Sequence, residues 1–291
     1  MKQPIFTGVA TALVTPFRGG AIDLSALEQL LDAQLAAGID AIVVCGTTGE
    51  ASTLSSQEQL TLIAHTLRYV HGRCKVIAGT GSNNTAHALE LSRAAAAMGV
   101  DGLLLVTPYY NKCTQDGLLA HYLTIADAVD CPIIVYSVPS RTGVDISVDT
   151  CVRLSQHPNL NGIKEAGGST AKAARILNAC GGDFFLWSGN DDQIVPLLSL
   201  GASGVISVLS NVRPRETLAM TQAAFTGDYA AAGRLQCQLM PLIDALFCEV
   251  NPIPVKYALE LEGLPVGAPR LPLTPLSEQN LPHLTTALRV L

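Results

Sequence analysis

Residues 131–166 read CPIIVYSVPSRTGVDISVDTCVRLSQHPNLNGIKEA. Two short, largely apolar runs, Ile133–Val138 and Leu160–Lys164, bracket a segment with room for one helix. Neither run alternates strictly between apolar and polar residues, as a strand with one wet face would. Runs that stay apolar are what a parallel sheet needs when helices cover both faces, because both sets of side chains then leave water. The unit recurs along the chain. Gly8–Val14, Ala41–Cys45, Lys75–Gly79, Gly102–Thr107, Phe184–Ser188 and Gly204–Val208 read as further strands, each followed by a plausible helix. Eight such units within roughly 220 residues predict an α/β fold, a (β/α)8 TIM barrel. An open doubly wound sheet is the alternative. It would want a G-x-G-x-x-G turn after the first strand, where Phe17-Arg18-Gly19-Gly20-Ala21 stands instead.

Helix punctuation agrees. Asp23 precedes a Leu-rich periodic stretch that stops at Gly38, Ser55 and Glu58 form a capping-box pattern, and Asn84 opens a helix that stops at Gly99. Beyond residue 228 helices follow one another with no strand between them. The expected organisation is a catalytic barrel over 1–227 and a C-terminal helical region over 228–291.

The chain has 291 residues, 48% hydrophobic and 14% charged, with net charge -6. That is a compact globular composition, and a negative chain is a poor partner for nucleic acid. The apolar runs are too short for a membrane span, and the first residues do not read as a signal peptide, so a cytoplasmic location is expected. Eight cysteines show neither C-x-x-C pairing nor zinc spacing with histidine and read mostly as buried fillers.

Barrel chemistry sits at the C-terminal ends of the strands. All six histidines fall elsewhere, which argues against a metal-dependent aldolase or zinc hydrolase. No phosphate-binding loop with a Lys-Ser or Lys-Thr partner is present. Only Glu50, Glu165 and Asp191 could offer strand-end carboxylates to a cation. What remains is Lys164 at the end of a short apolar strand. Desolvation disfavours an ammonium and frees an amine nucleophile. The competing reading pairs Lys164 with Glu165 at the barrel rim. Tyr136, at the end of the neighbouring strand, favours the first, since a phenol beside an amine can carry protons. Thr47-Thr48-Gly49-Glu50 offers hydroxyls and free N–H groups before a helix, suited to a small carboxylate. Arg141 offers a fork of donors to another. Tyr109-Tyr110-Asn111 suits either a site wall or a subunit contact.

In order along the chain, GVATALVTPF (8–17), GTTGE (46–50), AGTG (78–81), VTPYYNK (106–112), YSVPSRTG (136–143), GIKEA (162–166), GVISV (204–208) and NPIPVK (251–256) resemble the dihydrodipicolinate synthase family of pyruvate-dependent class I aldolases. The resemblance covers nearly the whole length. It implies that Lys164 forms an imine with pyruvate, whose enamine attacks L-aspartate 4-semialdehyde to give 4-hydroxy-tetrahydrodipicolinate. Tyr136 would be the general acid and base. Thr47 and Tyr110 would complete a proton relay, with Tyr110 reaching into a neighbouring subunit. Thr48 would hold the pyruvate carboxylate and Arg141 that of the aldehyde, with Gly189 and Ile206 contributing backbone. It also implies a homotetramer of two tight dimers, with no metal and no cofactor beyond the covalent imine. The rivals are an aldolase for 2-keto-3-deoxy sugar acids and a non-catalytic keto-acid-binding paralogue.

Three positions depart from the family pattern: Ser137 replaces Asn, Cys113 replaces Pro, and Asn190 replaces Asp. The family's allosteric lysine site corresponds to Ala51, Ser52, Ser56, Gln59, Asn83, His87 and Tyr109. Inhibited members carry Glu where His87 stands, so the site here is expected to be vestigial or altered. A neutral imidazole does not replace a carboxylate that accepts an ammonium.

Overall fold

The structure, a computed structural model, describes residues 2–289. Eight parallel strands close a barrel in chain order: β1 (Gly8–Ala12), β2 (Ala41–Val44), β3 (Lys75–Gly79), β4 (Gly102–Val106), β5 (Ile133–Ser137), β6 (Leu160–Glu165), β7 (Phe185–Ser188) and β8 (Gly204–Ser207). β8 pairs back onto β1, with Ala10 opposite Ile206. Every expected strand is present, several one or two residues shorter at an end.

Helices α1 (Leu24–Ala37), α2 (Ser56–Val70), α3 (Thr85–Ala97), α4 (Gln115–Ala126), α5 (Val148–Ser155), α6 (Thr170–Cys180), α7 (Ile194–Ser199) and α8 (Pro214–Phe225) form the outer ring. The caps act as read. The Asp23 carboxylate accepts from Ala26 N–H, Gly38 ends α1 in the left-handed region, and Ser55 and Glu58 make both halves of a capping box. One element was not foreseen. Phe17–Arg18 and Ala21–Ile22 pair as a small antiparallel hairpin, turned by Gly19 and Gly20 at φ 58° and 81°. The glycines that argued against a nucleotide-binding turn make a β-turn instead.

Alternate strand residues face two cores. Inside the barrel, Ala10, Ala12, Val43, Leu104, Ile134, Tyr136, Trp187 and Ile206 form a small inner cluster. Between sheet and helices lies a larger one, which α9 (Tyr229–Leu246), α10 (Ile253–Leu261) and α11 (Leu281–Ala287) join through Leu239, Leu246, Val255, Leu259 and Leu284. These last helices therefore share the barrel's outer core.

Candidate active site

β5 and β6 pair so that Tyr136 stands opposite Lys164, and β6 and β7 pair so that Lys164 stands opposite Trp187. All three point inward near the C-terminal rim. Lys164 is 6% exposed, and its Nζ lies 4.3 Å from the centroid of the Tyr136 ring. Burial pushes its pKa down to about 7, helped by Arg141 and opposed by Asp191. An amine with that value is half free at neutral pH, where an ordinary lysine is almost wholly protonated.

The two readings of Lys164 separate here. Lys164 enters none of the ion pairs among the described residues. Glu165 points to the outer face, where its carboxylate accepts from Lys172 Nζ at 2.9 Å and from Gly167 N–H at 2.7 Å. Lys172 also pairs with Asp145, which accepts from the Ser137 hydroxyl at 2.9 Å. The strand pleat thus gives Lys172 the rim salt bridge and leaves Lys164 unpaired.

Tyr136 is buried, and desolvation raises its phenol pKa; the Arg141 charge and the Thr47 side chain beside it pull the other way. Thr47 and Thr48 ride on a loop bracketed by two left-handed non-glycine residues, Cys45 at φ 58° and Glu50 at φ 56°. Such a backbone persists only when its surroundings hold it. Here the hold is an ion pair buried on both sides: Lys256 Nζ donates to Glu50 Oε1 at 2.8 Å and to the Thr15 carbonyl at 3.0 Å. Arg270 N–H reaches Glu50 Oε2, and its guanidinium grips Glu58 with two nitrogens. Glu50 is therefore a buried anchor and no strand-end ligand.

A cavity of about 190 Å³ joins Lys164, Tyr136, Thr47, Thr48, Arg141 and Gly189. Gly189 must lack a side chain, since a Cβ there would lie 3.0 Å from Lys164 Cε and 2.7 Å from the Ala166 methyl. Ile206 sits in the inner cluster with Tyr136, and Val208 rather than Ile206 supplies apolar wall to this cavity. Arg141, read as a loop residue, lies in the helical turn Pro139–Thr142.

Asn251 was read only as part of a motif. Its Nδ2 donates to Thr48 Oγ1 at 2.9 Å, and its main-chain oxygen accepts from Arg141 Nη2 at 3.4 Å. It thus ties together two groups expected to hold carboxylates. Lys256 and Asn251 escaped a strand-end inventory because both lie in the C-terminal helical region.

A second cavity, of about 410 Å³, shares Thr47, Tyr136 and Arg141 with the first and extends to Ala51, Ser52, Gln59, His87 and Tyr109. Ser56 and Asn83, expected beside them, are not in its lining. Ser56 is exposed at the first residue of α2, and Asn83 uses its carbonyl to accept from Asn111 Nδ2 at 3.0 Å. Tyr110 is 94% exposed at φ 69° and touches neither cavity of its own chain.

All eight cysteines are unpaired, and burial pushes the Cys45 and Cys131 thiols up to about 12. No three His, Cys, Asp or Glu side chains among the described residues are placed to hold a metal ion.

A closed parallel barrel built around one desolvated, unpaired amine with a phenol at its side is a barrel for nucleophilic chemistry on carbonyl compounds. The chain belongs to the Dihydrodipicolinate synthetase family, whose pattern matches residues 5–291. It is 54% identical over 286 residues to the 4-hydroxy-tetrahydrodipicolinate synthase of Exiguobacterium sibiricum, covering 98% of each chain. It superposes with TM-score 0.96 on the 4-hydroxy-tetrahydrodipicolinate synthase of Methylacidiphilum fumariolicum SolV, at 46% identity over 98% of this chain and 95% of that one. The chloride-inhibited dihydrodipicolinate synthase of Acinetobacter baumannii, a structure complexed with pyruvate, superposes with TM-score 0.96 at 45% identity, covering 98% of each.

Proposed function

We propose that this barrel is a Schiff-base-forming lyase that condenses pyruvate with L-aspartate 4-semialdehyde, giving 4-hydroxy-tetrahydrodipicolinate for lysine and diaminopimelate biosynthesis. The observation that carries the reading is Lys164: buried, without an ion-pair partner, and set over the Tyr136 ring. Close relatives named for this reaction, and a similar structure with pyruvate bound, support it.

The Lys164 amine adds to the ketone of pyruvate, and loss of water gives a protonated imine. Tyr136, next to the amine, delivers and removes the protons. The protonated imine acidifies the pyruvate methyl, Tyr136 takes one of its protons, and the resulting enamine attacks the aldehyde carbon. The new alkoxide takes a proton and becomes the hydroxyl. The amino group of the second substrate then adds to the imine carbon, and Lys164 leaves as a free amine as the ring closes. No external cofactor enters any step.

Thr48, with Asn251 behind it, holds the pyruvate carboxylate, and Arg141 that of the aldehyde, with Gly189 and Ile206 lending backbone. Thr47 and Tyr110 complete the proton relay, Tyr110 coming from a neighbouring subunit of a homotetramer made of two tight dimers. Its exposure supports that placement. The barrel (1–227) and helical region (228–291) form one catalytic unit in this reading, since Asn251 lies in the second. Eight unpaired cysteines suit a reducing cytoplasm, and among the described residues no helix is long and apolar enough to cross a membrane.

Borohydride reduction with pyruvate, followed by mass analysis, tests the reading. A stable adduct on the peptide containing Lys164 is expected, and its absence overturns the mechanism. Turnover of aspartate semialdehyde against cleavage of 2-keto-3-deoxy acids fixes the substrate.

A further inference from the structure

Tyr136 and Lys164 face into the barrel, and the next register pair on the same two strands, Ser137 and Glu165, faces out. The link between these outer residues runs through two others. The Ser137 hydroxyl donates to Asp145 Oδ1 at 2.9 Å, and the Lys172 ammonium donates to the same oxygen. Lys172 also donates to Glu165 Oε2 at 2.9 Å, and Glu165 Oε1 accepts from Gly167 N–H at 2.7 Å. The Glu165 side chain is 2% exposed, and Lys172 is its only ion-pair partner among the described residues. Burial pushes the Glu165 carboxyl up, and the Lys172 charge opposes it.

Glu165 sits in the chain between two residues of the Lys164 cavity wall, Lys164 itself and Ala166. Ala166 N–H donates to the Ser137 carbonyl at 2.9 Å, and Gly189 N–H donates to the Glu165 carbonyl at 2.8 Å. The position of Glu165 therefore fixes both the amine and the wall beside it. On the inner side, Lys164 faces Tyr136, Arg141 and Asp191. On the outer side, Glu165 faces Lys172 on α6 and Asp145 before α5, with the Cys151 thiol of α5 beside them. Of these outer groups Lys172 alone is a cation. Without it a buried carboxylate would stand unpaired one residue from the Lys164 amine. An unpaired carboxylate nearby favours the ammonium form, which cannot attack a ketone.

We propose that Lys172 is a positioning residue for the condensation: by bridging Glu165 to Asp145 it locks the rims of β6 and β5 together, which keeps the Lys164 amine free of Glu165 and in register over Tyr136. The assignment rests on the imine reading for Lys164. It gives α6 a part in the reaction, although Lys172 is not in the cavity lining.

The test compares the full-length wild type with Lys172→Met, Lys172→Arg and the double variant Glu165→Gln, Lys172→Met. Three quantities are read: the pH profile of kcat/KM for pyruvate, which reports groups of the free enzyme, kcat at its pH plateau, and the melting temperature. Lys172→Met is expected to move the rising limb of the profile up by about one pH unit, so that kcat/KM at pH 7 falls about fivefold. Its plateau kcat should fall at least about threefold as the register loosens. Lys172→Arg keeps a cation between the two carboxylates and is expected to recover most of both. The double variant removes the unpaired charge and leaves the bridge broken. Its profile should return to the wild-type midpoint while plateau kcat stays low. A fall in melting temperature with profile and plateau unmoved marks a purely structural bridge and overturns the assignment. A midpoint that stays shifted in the double variant overturns it too. Should Lys172→Met fail to fold, the double variant decides, and a wild-type plateau kcat in it overturns the assignment. Failure of the wild type to form a borohydride-reducible adduct with pyruvate brings down the imine reading itself, and this assignment with it.

Discussion

Lys164 and Tyr136 stand at the same level on adjacent parallel strands, with the amine 4.3 Å above the phenol ring. The contact is attractive only while the amine is charged, and burial disfavours the charge. The lysine is thus held near the point where either form is accessible, which suits the role proposed for it, free to attack and charged as an iminium afterwards.

That balance has a pH signature. The folded pKa of about 7 lies below the ordinary lysine value. Between the two, the unfolded chain binds more protons, so this residue makes stability rise with pH across that window. Below pH 7 both states are protonated and the burial penalty is fully present. Lys164→Met removes the penalty. It should melt higher than wild type at pH 6, with the gap closing as pH approaches 10, read by thermal unfolding across that range. Pyruvate trapping in the wild type should climb from pH 6 to 8 as the free amine accumulates.

Tyr136→Phe keeps the ring under the amine and removes the hydroxyl proposed to carry the protons. A fall in kcat of roughly 10²–10⁴-fold is expected, the usual worth of a positioned acid–base group, with the melting temperature little changed. A variant of near wild-type kcat would remove Tyr136 from the chemistry.

The Glu50–Lys256 pair holds the loop that presents Thr47 and Thr48. Lys256→Met leaves the Glu50 carboxylate buried without its ammonium, a loss of about 3–5 kcal/mol. Part of it should return in the double variant Glu50→Gln, Lys256→Met, measured by denaturant unfolding. KM for pyruvate should rise in the single variant, because the strained loop loses its anchor. Strict additivity of the two substitutions would show that the pair is not coupled.

The barrel was legible because its strands are apolar on both faces, a pattern that half-wet sheets do not share. Lys164 and Tyr136 were legible for a related reason: each is a polar residue at the end of an apolar run. What resisted reading was long-range. Nothing local in NPIPVK says that Asn251 will meet Thr48 across 203 positions, or that Lys256 will bury itself against Glu50. The pleat decided the Glu165 question, and only the closed register shows Glu165 facing out to Lys172. The Phe17–Ile22 hairpin was missed because two-residue strands carry no periodicity.

The cavity that gathers Ala51, Gln59, His87 and Tyr109 contains no carboxylate in its lining. A diamino acid would find no anion there for its side-chain ammonium. Half-inhibition by L-lysine is therefore expected only above millimolar concentration in a steady-state assay. His87→Glu restores an acceptor and should strengthen it. Sub-millimolar inhibition of the wild type would contradict this account.

Tyr110 tests the assembly. It is almost fully exposed, with its backbone at φ 69°, and it touches neither Lys164 nor the cavity of its own chain. Tyr110→Ala should therefore leave the monomer's stability nearly unchanged while reducing turnover, if the ring works in a partner's site. Mixing decides the matter. A chain carrying Lys164→Ala has no nucleophile but can lend Tyr110. A chain carrying Tyr110→Ala keeps Lys164 but lends nothing. In a two-fold dimer that exchanges the tyrosine, the mixed species has one complete site and one with neither group. Random reassortment of equal amounts then restores roughly a quarter of wild-type activity from two inactive parents. A ring acting only within its own chain would give no recovery beyond the parents' own, because the Lys164→Ala sites lack the amine and the Tyr110→Ala sites gain nothing from pairing. The mixture's turnover, measured after dissociation and reassembly, separates the two.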